Sequence, residues 1–430
     1  MSYLSSSILA ANGGSPVRGR PWPRWPQYGP IAITLLQKVL NGGRWAISGP
    51  WTGEPPLDQV FAEQFSRYLG VEYCVPTDHG SSALVIAMKA LGIGTGDEVI
   101  VPGLTWVACA SAVLRAGAVP ILVDIEPDTL CISPDAVAAA ITPRTAAILA
   151  VHLYSAMAQM DKLMSISRQH GIPIIEDCAQ AHGARWRGHA AGSLTEVGTF
   201  SMQQGKALTC GEGGAAVTSD EHLYSLLEQL RNDGRQYAVT DPEPDRMHLV
   251  EIGSITGANY AMSEFQAAVL LDGLSRLEEQ NRRRKVNAEY LDSRLGELEG
   301  LELIRPYPQN SERAYYHYVV RYEPPEFADN DVEAICKVLE AELAFWIHPT
   351  YKPLNNHQLY RPHNDQTLNL EPHVRRRIDP TQFDLPEATC QHERSILIHH
   401  SALLGTLEDM DDIIAAFEKV KRLASTIRIS

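Results

Sequence analysis

The sequence predicts an α/β fold, with a mostly parallel central sheet covered by helices on both faces and a smaller C-terminal α+β domain. Three observations carry this. Short apolar, β-rich runs alternate with helix-like segments from residue 57 to about residue 217. Strands alternating with helices pair in parallel and are covered on both sides. One long amphipathic stretch, "SEFQAAVLLDGLSRLEEQNRRRKVNAEYLDSRLGEL", follows from Ser263, the usual bridge to a second domain. The remainder, 300–430, carries a few strands and two helical patterns.

"LDQVFAEQFSRYLG" has apolar residues at i, i+3 and i+4 and ends in Gly70, a helix with its stop signal. "YCVPT" reads as a strand and "SSALVIAMKALG" as a helix opened by serines. "DEVIVP", "VPILVD", "TAAILAVH" and "IPIIED" are buried-strand runs, and "VGTF" and "AAV" are two more. In the last third, "YYHYVVRYE", "AFWIHP" and "SILIHH" are strands. Between them "KPLNNHQLYRPHNDQTLNLEPHVRRR" reads as a long polar loop, of a length that is usually functional or mobile. A chain of 430 residues exceeds what one core supports. The expected division is an N-terminal extension (1–30), a large domain (31–275) and a small C-terminal domain (276–430).

A net charge of −15 argues against nucleic acid or an anionic membrane as partner, since both need clustered basic surface. The one basic run, Arg282-Arg283-Arg284-Lys285, lies in the helical stretch and reads as a solvated helix face. No apolar stretch reaches the roughly 20 residues of a membrane span, and the first 30 residues lack signal-peptide architecture. Seven cysteines without a CxxC pair suit a reduced, cytoplasmic protein with no metal site. Fifteen histidines show no ligand spacing, and His399-His400 reads as structural.

The chemistry gathers at strand ends, where such sheets bind ligands. "FSMQQGKALTCGEGGAAV" sets Lys206 in a glycine-flanked loop between two strands. "IPIIEDCAQAHGA" ends a buried strand in Glu176-Asp177 and then supplies Gln180 and His182. A carboxylate so placed is costly unless a cation meets it, although an Asp can also simply cap a turn. "TDHGSSAL" offers backbone N–H groups and hydroxyls at a helix N-terminus, an anion site or an ordinary serine cap. "VPGLTWVACAS" places Thr105-Trp106 near the same edge, as a stacking plate or a packing residue.

Together a reactive lysine, a phosphate cradle, an aromatic plate and a buried acid are what pyridoxal 5′-phosphate requires. An Asp keeps its pyridine nitrogen protonated, and a lysine holds it covalently and then serves as a base.

The ordered series "HGSSAL", "PGLTWVACASA", "VDIEPDTL", "IEDCAQAHGA", "GSLTEVGTFS", a lysine five residues later, "CGEGGA" and "NYAMSEFQAA" resembles the DegT/DnrJ/EryC1/StrS aminotransferase family. The matches run from about residue 45 to 270. The resemblance implies a fold type I pyridoxal-phosphate transferase, with Lys206 and Asp177 as the catalytic pair. It implies that Gln180 meets the cofactor's ring hydroxyl, that Trp106 stacks on the ring, and that Gly80, Ser81 and Ser201 hold the phosphate. Asn259 would reach the phosphate of a neighbouring subunit, making a homodimer with shared sites.

Two positions depart from the common pattern. Ala261 stands where the family often has a basic residue, and Met202-Gln203-Gln204 precede the lysine. Both resemble the branch that aminates cyclitol ketones with L-glutamine. Amides suit a ring of hydroxyls or a glutamine carboxamide, though they can also simply orient the loop. A nucleotide-linked keto-sugar, the commoner family substrate, would want Arg or Lys in the groove, with Arg235 and Arg313 as candidates. Scyllo-inosose is a further alternative acceptor. A non-catalytic homologue is disfavoured because Lys206 and Asp177 both stand.

Overall fold

The computed structural model describes residues 7–368 and 371–428. The apolar runs of the first half become β1 (Tyr73–Thr77), β2 (Glu98–Pro102), β3 (Val119–Val123), β4 (Thr145–Val151) and β5 (Ile174–Asp177). A small hairpin of β6 (Arg185–Trp186) and β7 (His189–Ala190) precedes β8 (Val197–Ser201) and β9 (Gly214–Thr218). Seven of these form one sheet in the order β1-β9-β8-β5-β4-β2-β3. Only β9 runs against the rest. Every residue of β2 and β5 is buried, as expected of strands covered on both faces.

The helix Leu57–Leu69 stops at Gly70, whose φ of 75° places it in the left-handed region. The helix Gly80–Ala90 buries eight of its 11 residues, packed on β8 and β9 and between two neighbouring helices. So apolar a helix cannot be a surface element.

A ribbon of β10 (Arg235–Tyr237) and β11 (Leu249–Glu251) follows; its short strands give no pattern in the sequence. The helix Glu264–Leu295 then spans 32 residues, opened by a capping box between Ser263 and Gln266. Its Ala267, Leu270 and Leu277 belong to the core around the large sheet, and its Ala288, Leu291 and Leu295 to a second core. That second core backs an antiparallel sheet of β12 (Leu301–Leu303), β13 (His317–Tyr322), β14 (Ile347–Pro349) and β15 (Ser395–His399), in the order β12-β13-β15-β14. The helices Val332–Leu343 and Leu407–Arg422 cover it.

Two expectations need correction. The basic run on the long helix is not a uniformly solvated face. Arg284 is fully buried, and Arg283 donates to the Gly405 carbonyl. Successive helical residues point about 100° apart, so a run of charges cannot all face water. The 352–377 segment is not plain loop either. It contains short 3-10 turns and the helix Pro372–Arg377, and it is tied down where Arg377 pairs with buried Glu98.

The described part of the N-terminal extension is stitched to the small sheet's core through residues 9–18. Leu9 and Val17 are buried in it, and Arg18 pairs with Asp409 at 2.8 Å and Asp412 at 2.7 Å. No helix among the described residues is long and apolar enough to cross a membrane. All seven cysteines are free.

Candidate active site

The parallel strands deliver their carboxyl ends to one edge, and a cavity of about 830 Å³ opens there. Lys206, Asp177, Gln180, Trp106, Gly80, Ser81 and Ser201 all line it. Asn259 does not. It is exposed, and its Oδ1 accepts from the Ala261 N–H at 3.3 Å. It stays near the same edge because Ala261 pairs with Thr77 just before the Gly80 helix.

Lys206 sits in a tight turn, its N–H donating to the Gln203 carbonyl at 2.8 Å, and its Nζ lies 4.2 Å from the centroid of the Tyr316 ring. The preceding carbonyl, that of Gly205, accepts from His399 Nε2 at 2.9 Å and from His400 Nε2 at 3.0 Å. A carbonyl only accepts, so both imidazoles carry their proton on Nε2. His399 Nδ1 accordingly accepts the Ser401 N–H. Burial pushes His399 down to about 4 and His400 well below the usual range, so both are neutral. The pair read as structural in the sequence thus holds the lysine loop.

Asp177 is buried at the end of β5. Its Oδ1 accepts from the Ala179 N–H at 3.0 Å, the turn-capping role, and its Oδ2 accepts from the Cys109 thiol at 3.0 Å. Burial, and then the charge of Asp177, push that thiol well above its usual range. Among the described residues no cation is paired with Asp177. Its neighbour Glu176 is different. It takes His152 Nε2 at 3.0 Å and the N–H groups of Gly192 and Leu194, so it braces the fold. His152, Glu176 and Cys178 offer ligand atoms within 4.8 Å of one another. His152 Nδ1 accepts from the Ala158 N–H and Glu176 is saturated, so this cluster is occupied by hydrogen bonds rather than suited to a metal.

Gln180 is spanned by two contacts: Oε1 accepts from the Tyr154 N–H at 2.8 Å and Nε2 donates to Tyr351 Oη at 3.2 Å. Trp106 is 47% exposed and tilted over Tyr351, its ring centroid 5.8 Å away. At the helix end, a Cβ on Gly80 would come within 2.6 Å of Ser201 Cβ, so only glycine lets these segments meet. His79, the N-cap residue, gives that helix no side-chain cap, and Gly80 and Ser81 at its start line the cavity.

Residues 32–418 match the model of the DegT/DnrJ/EryC1/StrS aminotransferase family. The chain belongs to that family. It is 49% identical to the L-glutamine:2-deoxy-scyllo-inosose aminotransferase of Streptoalloteichus tenebrarius, over 98% of this chain and 99% of the relative. It is 47% identical to the L-glutamine:scyllo-inosose aminotransferase of Streptomyces griseus, over 96% and 97%. The crystal structure of 3-amino-5-hydroxybenzoic acid synthase superposes with a TM-score of 0.79 at 28% identity, covering 95% of this chain and all of that one.

This aminotransferase is therefore a pyridoxal-phosphate enzyme of fold type I, and its cavity fits the cofactor. A buried carboxylate without a cation awaits a protonated ring nitrogen. An uncapped helix end, closed against Ser201 by a glycine, awaits an anion.

The cavity also has features that the sequence did not reveal. Lys206 is the only Lys or Arg among its described lining residues. Arg313 instead donates to Ser155 Oγ and pairs with Asp292, and Arg235 pairs with Asp233. The small sheet adds His317 and His348 to the wall, and Tyr316 joins them from just before β13. The N-terminal extension reaches in with Trp25, whose Nε1 donates to the Gln204 carbonyl at 3.0 Å and whose ring meets His400 edge-on.

Proposed function

We propose that this aminotransferase moves the amino group of L-glutamine to a free cyclitol ketone, converting 2-deoxy-scyllo-inosose to 2-deoxy-scyllo-inosamine in aminoglycoside antibiotic biosynthesis. The observation that carries the reading is full-length likeness, at 49% identity, to an enzyme named for that reaction. The cavity's charge supports it. A diphosphate-bearing substrate would want guanidinium or ammonium partners, and only Lys206 among the described lining residues is one. The scyllo-inosose enzyme of Streptomyces griseus, at 47% identity, supports a second reading in which the acceptor carries one more hydroxyl.

When bound, the cofactor supplies an electron sink for the substrate carbon that loses its proton. In this reading Asp177 would hold the ring nitrogen protonated. Gly80, Ser81 and Ser201 would hold the phosphate, Trp106 would stack on the ring, and Gln180 would take the ring hydroxyl. Lys206 first anchors the cofactor. Displaced, it takes the α-proton of glutamine as a free amine, and in the second half-reaction it returns a proton to the acceptor carbon. We further place Asn259 at the phosphate of a second copy, so that the working unit is a cytoplasmic homodimer. The functional division of the chain is taken as 1–30, 31–275 and 276–430.

The test is competition. Purified holoenzyme is offered glutamine or glutamate, with 2-deoxy-scyllo-inosose, scyllo-inosose or a nucleotide-linked 4-keto sugar. Amination of a cyclitol ketone with glutamine preferred is expected. Preference for the nucleotide sugar overturns the acceptor assignment and leaves the aminotransferase family untouched.

A further inference from the structure

Three adjacent strands of the small sheet each send a histidine toward the cavity. His317 opens β13 and lies in register with His399 on β15, while His348 sits on β14 at the other side of β15. His399 is committed to Gly205, as described above. His317 and His348 are not.

His317 is 3% exposed, and neither ring nitrogen has a hydrogen-bond partner among the described residues. His348 Nδ1 donates to the Pro349 carbonyl at 2.8 Å, which leaves Nε2 a bare lone pair, buried and without a partner. The two rings stand 5.2 Å apart at 89°, and both line the cavity. Trp346 stacks on His348 at 4.0 Å and lines the same space. Polar atoms buried without partners are costly, and native folds keep few of them unless a ligand or water completes the set.

The unfilled set has a definite chemistry. Burial, with His399, His348 and Lys206 nearby, holds His317 neutral, so it offers one N–H and one lone pair. His348 adds a second lone pair. A group that both donates and accepts, without charge, matches them, and a hydroxyl is such a group. Trp346 adds an apolar face suited to the C–H side of a ring.

We propose that His317 and His348 form the subsite that grips ring hydroxyls of the acceptor and sets its selectivity for an uncharged polyhydroxylated ring. This rests on the cyclitol reading above.

The experiment uses holoenzyme and the variants His317→Phe, His317→Gln and His348→Phe. The first readout is binding of scyllo-inositol, a ring with every hydroxyl and no ketone, by calorimetry. The wild type is expected to bind it, His317→Phe and His348→Phe to bind at least about tenfold more weakly, and His317→Gln to recover part of the loss. The second readout separates the half-reactions. The absorbance change with glutamine alone should stay within about twofold of wild type, while KM for 2-deoxy-scyllo-inosose rises about tenfold or more. Unchanged scyllo-inositol binding in both Phe variants overturns the proposal, as does equal damage to both half-reactions. A wild type that binds scyllo-inositol but aminates no cyclitol ketone overturns the functional reading and leaves the subsite standing.

Discussion

Lys206 Nζ lies 4.2 Å from the centre of the Tyr316 ring, so the ammonium group rests on an aromatic face instead of a carboxylate. A cation–π contact holds a lysine in place more weakly than a buried salt bridge would. The amine stays available for covalent chemistry.

Replacing Lys206 with Ala should abolish turnover, by about 10³-fold or more, since anchor and base are lost together. The fold should survive because the side chain makes no buried hydrogen bond among the described residues. Circular dichroism should be unchanged, and the yellow colour of covalently held cofactor should vanish. A coloured, active Lys206→Ala protein would refute the site.

Asp177→Asn keeps shape and the contact with the Ala179 N–H, and loses the charge. Cofactor should still bind while kcat falls on the order of 10²-fold or more, because a neutral amide cannot keep the ring nitrogen protonated. Near-normal kinetics would reduce Asp177 to a turn cap.

Gly80→Ala pushes a methyl group to 2.6 Å from Ser201 Cβ. The helix end or the β8 strand end has to move, at a cost of about 1–3 kcal/mol. A lower urea midpoint and weaker cofactor affinity are expected together in a denaturation series and a cofactor titration. Loss of neither would mean that the close approach does not matter.

Acid should loosen the lysine loop. Burial holds His399 at about 4 and His182 at about 3, below the ordinary value near 6.5 of an unfolded chain. The unfolded state therefore binds protons that the folded state refuses, and stability falls as pH drops from about 6.5 toward 4. The loss is on the order of 3 kcal/mol for His399 alone over the full window, with no contribution above pH 7 or so. Urea denaturation at about pH 7.5 and about pH 5 should show the drop, and His399→Gln should make it shallower. Equal slopes in the two proteins would remove His399 from the account.

The sheet was legible because buried parallel strands are continuous apolar runs, and Lys206 and Asp177 were legible because each ends or follows such a run. His317, His348 and His399 were not. They lie on three separate strands, with no spacing in the sequence that links them, and only the pairing order of the small sheet brings them together. Arg284 misled for a related reason. A run of four basic residues looks solvated along the chain, whereas rotation around the helix turns one of them inward to lie 5.3 Å from the Trp25 ring. Trp25 itself lies in a segment without periodicity, so nothing local announced that it reaches the Gln204 carbonyl.

Gly205 is held by two imidazoles that follow it by 194 and 195 residues. A ribosome has therefore finished every strand of the large sheet, and the lysine with them, long before it adds the groups that fix the lysine's loop. Catalytic competence is among the last properties the nascent chain acquires. A product halted before His399 would carry the lysine and lack the grip on its loop.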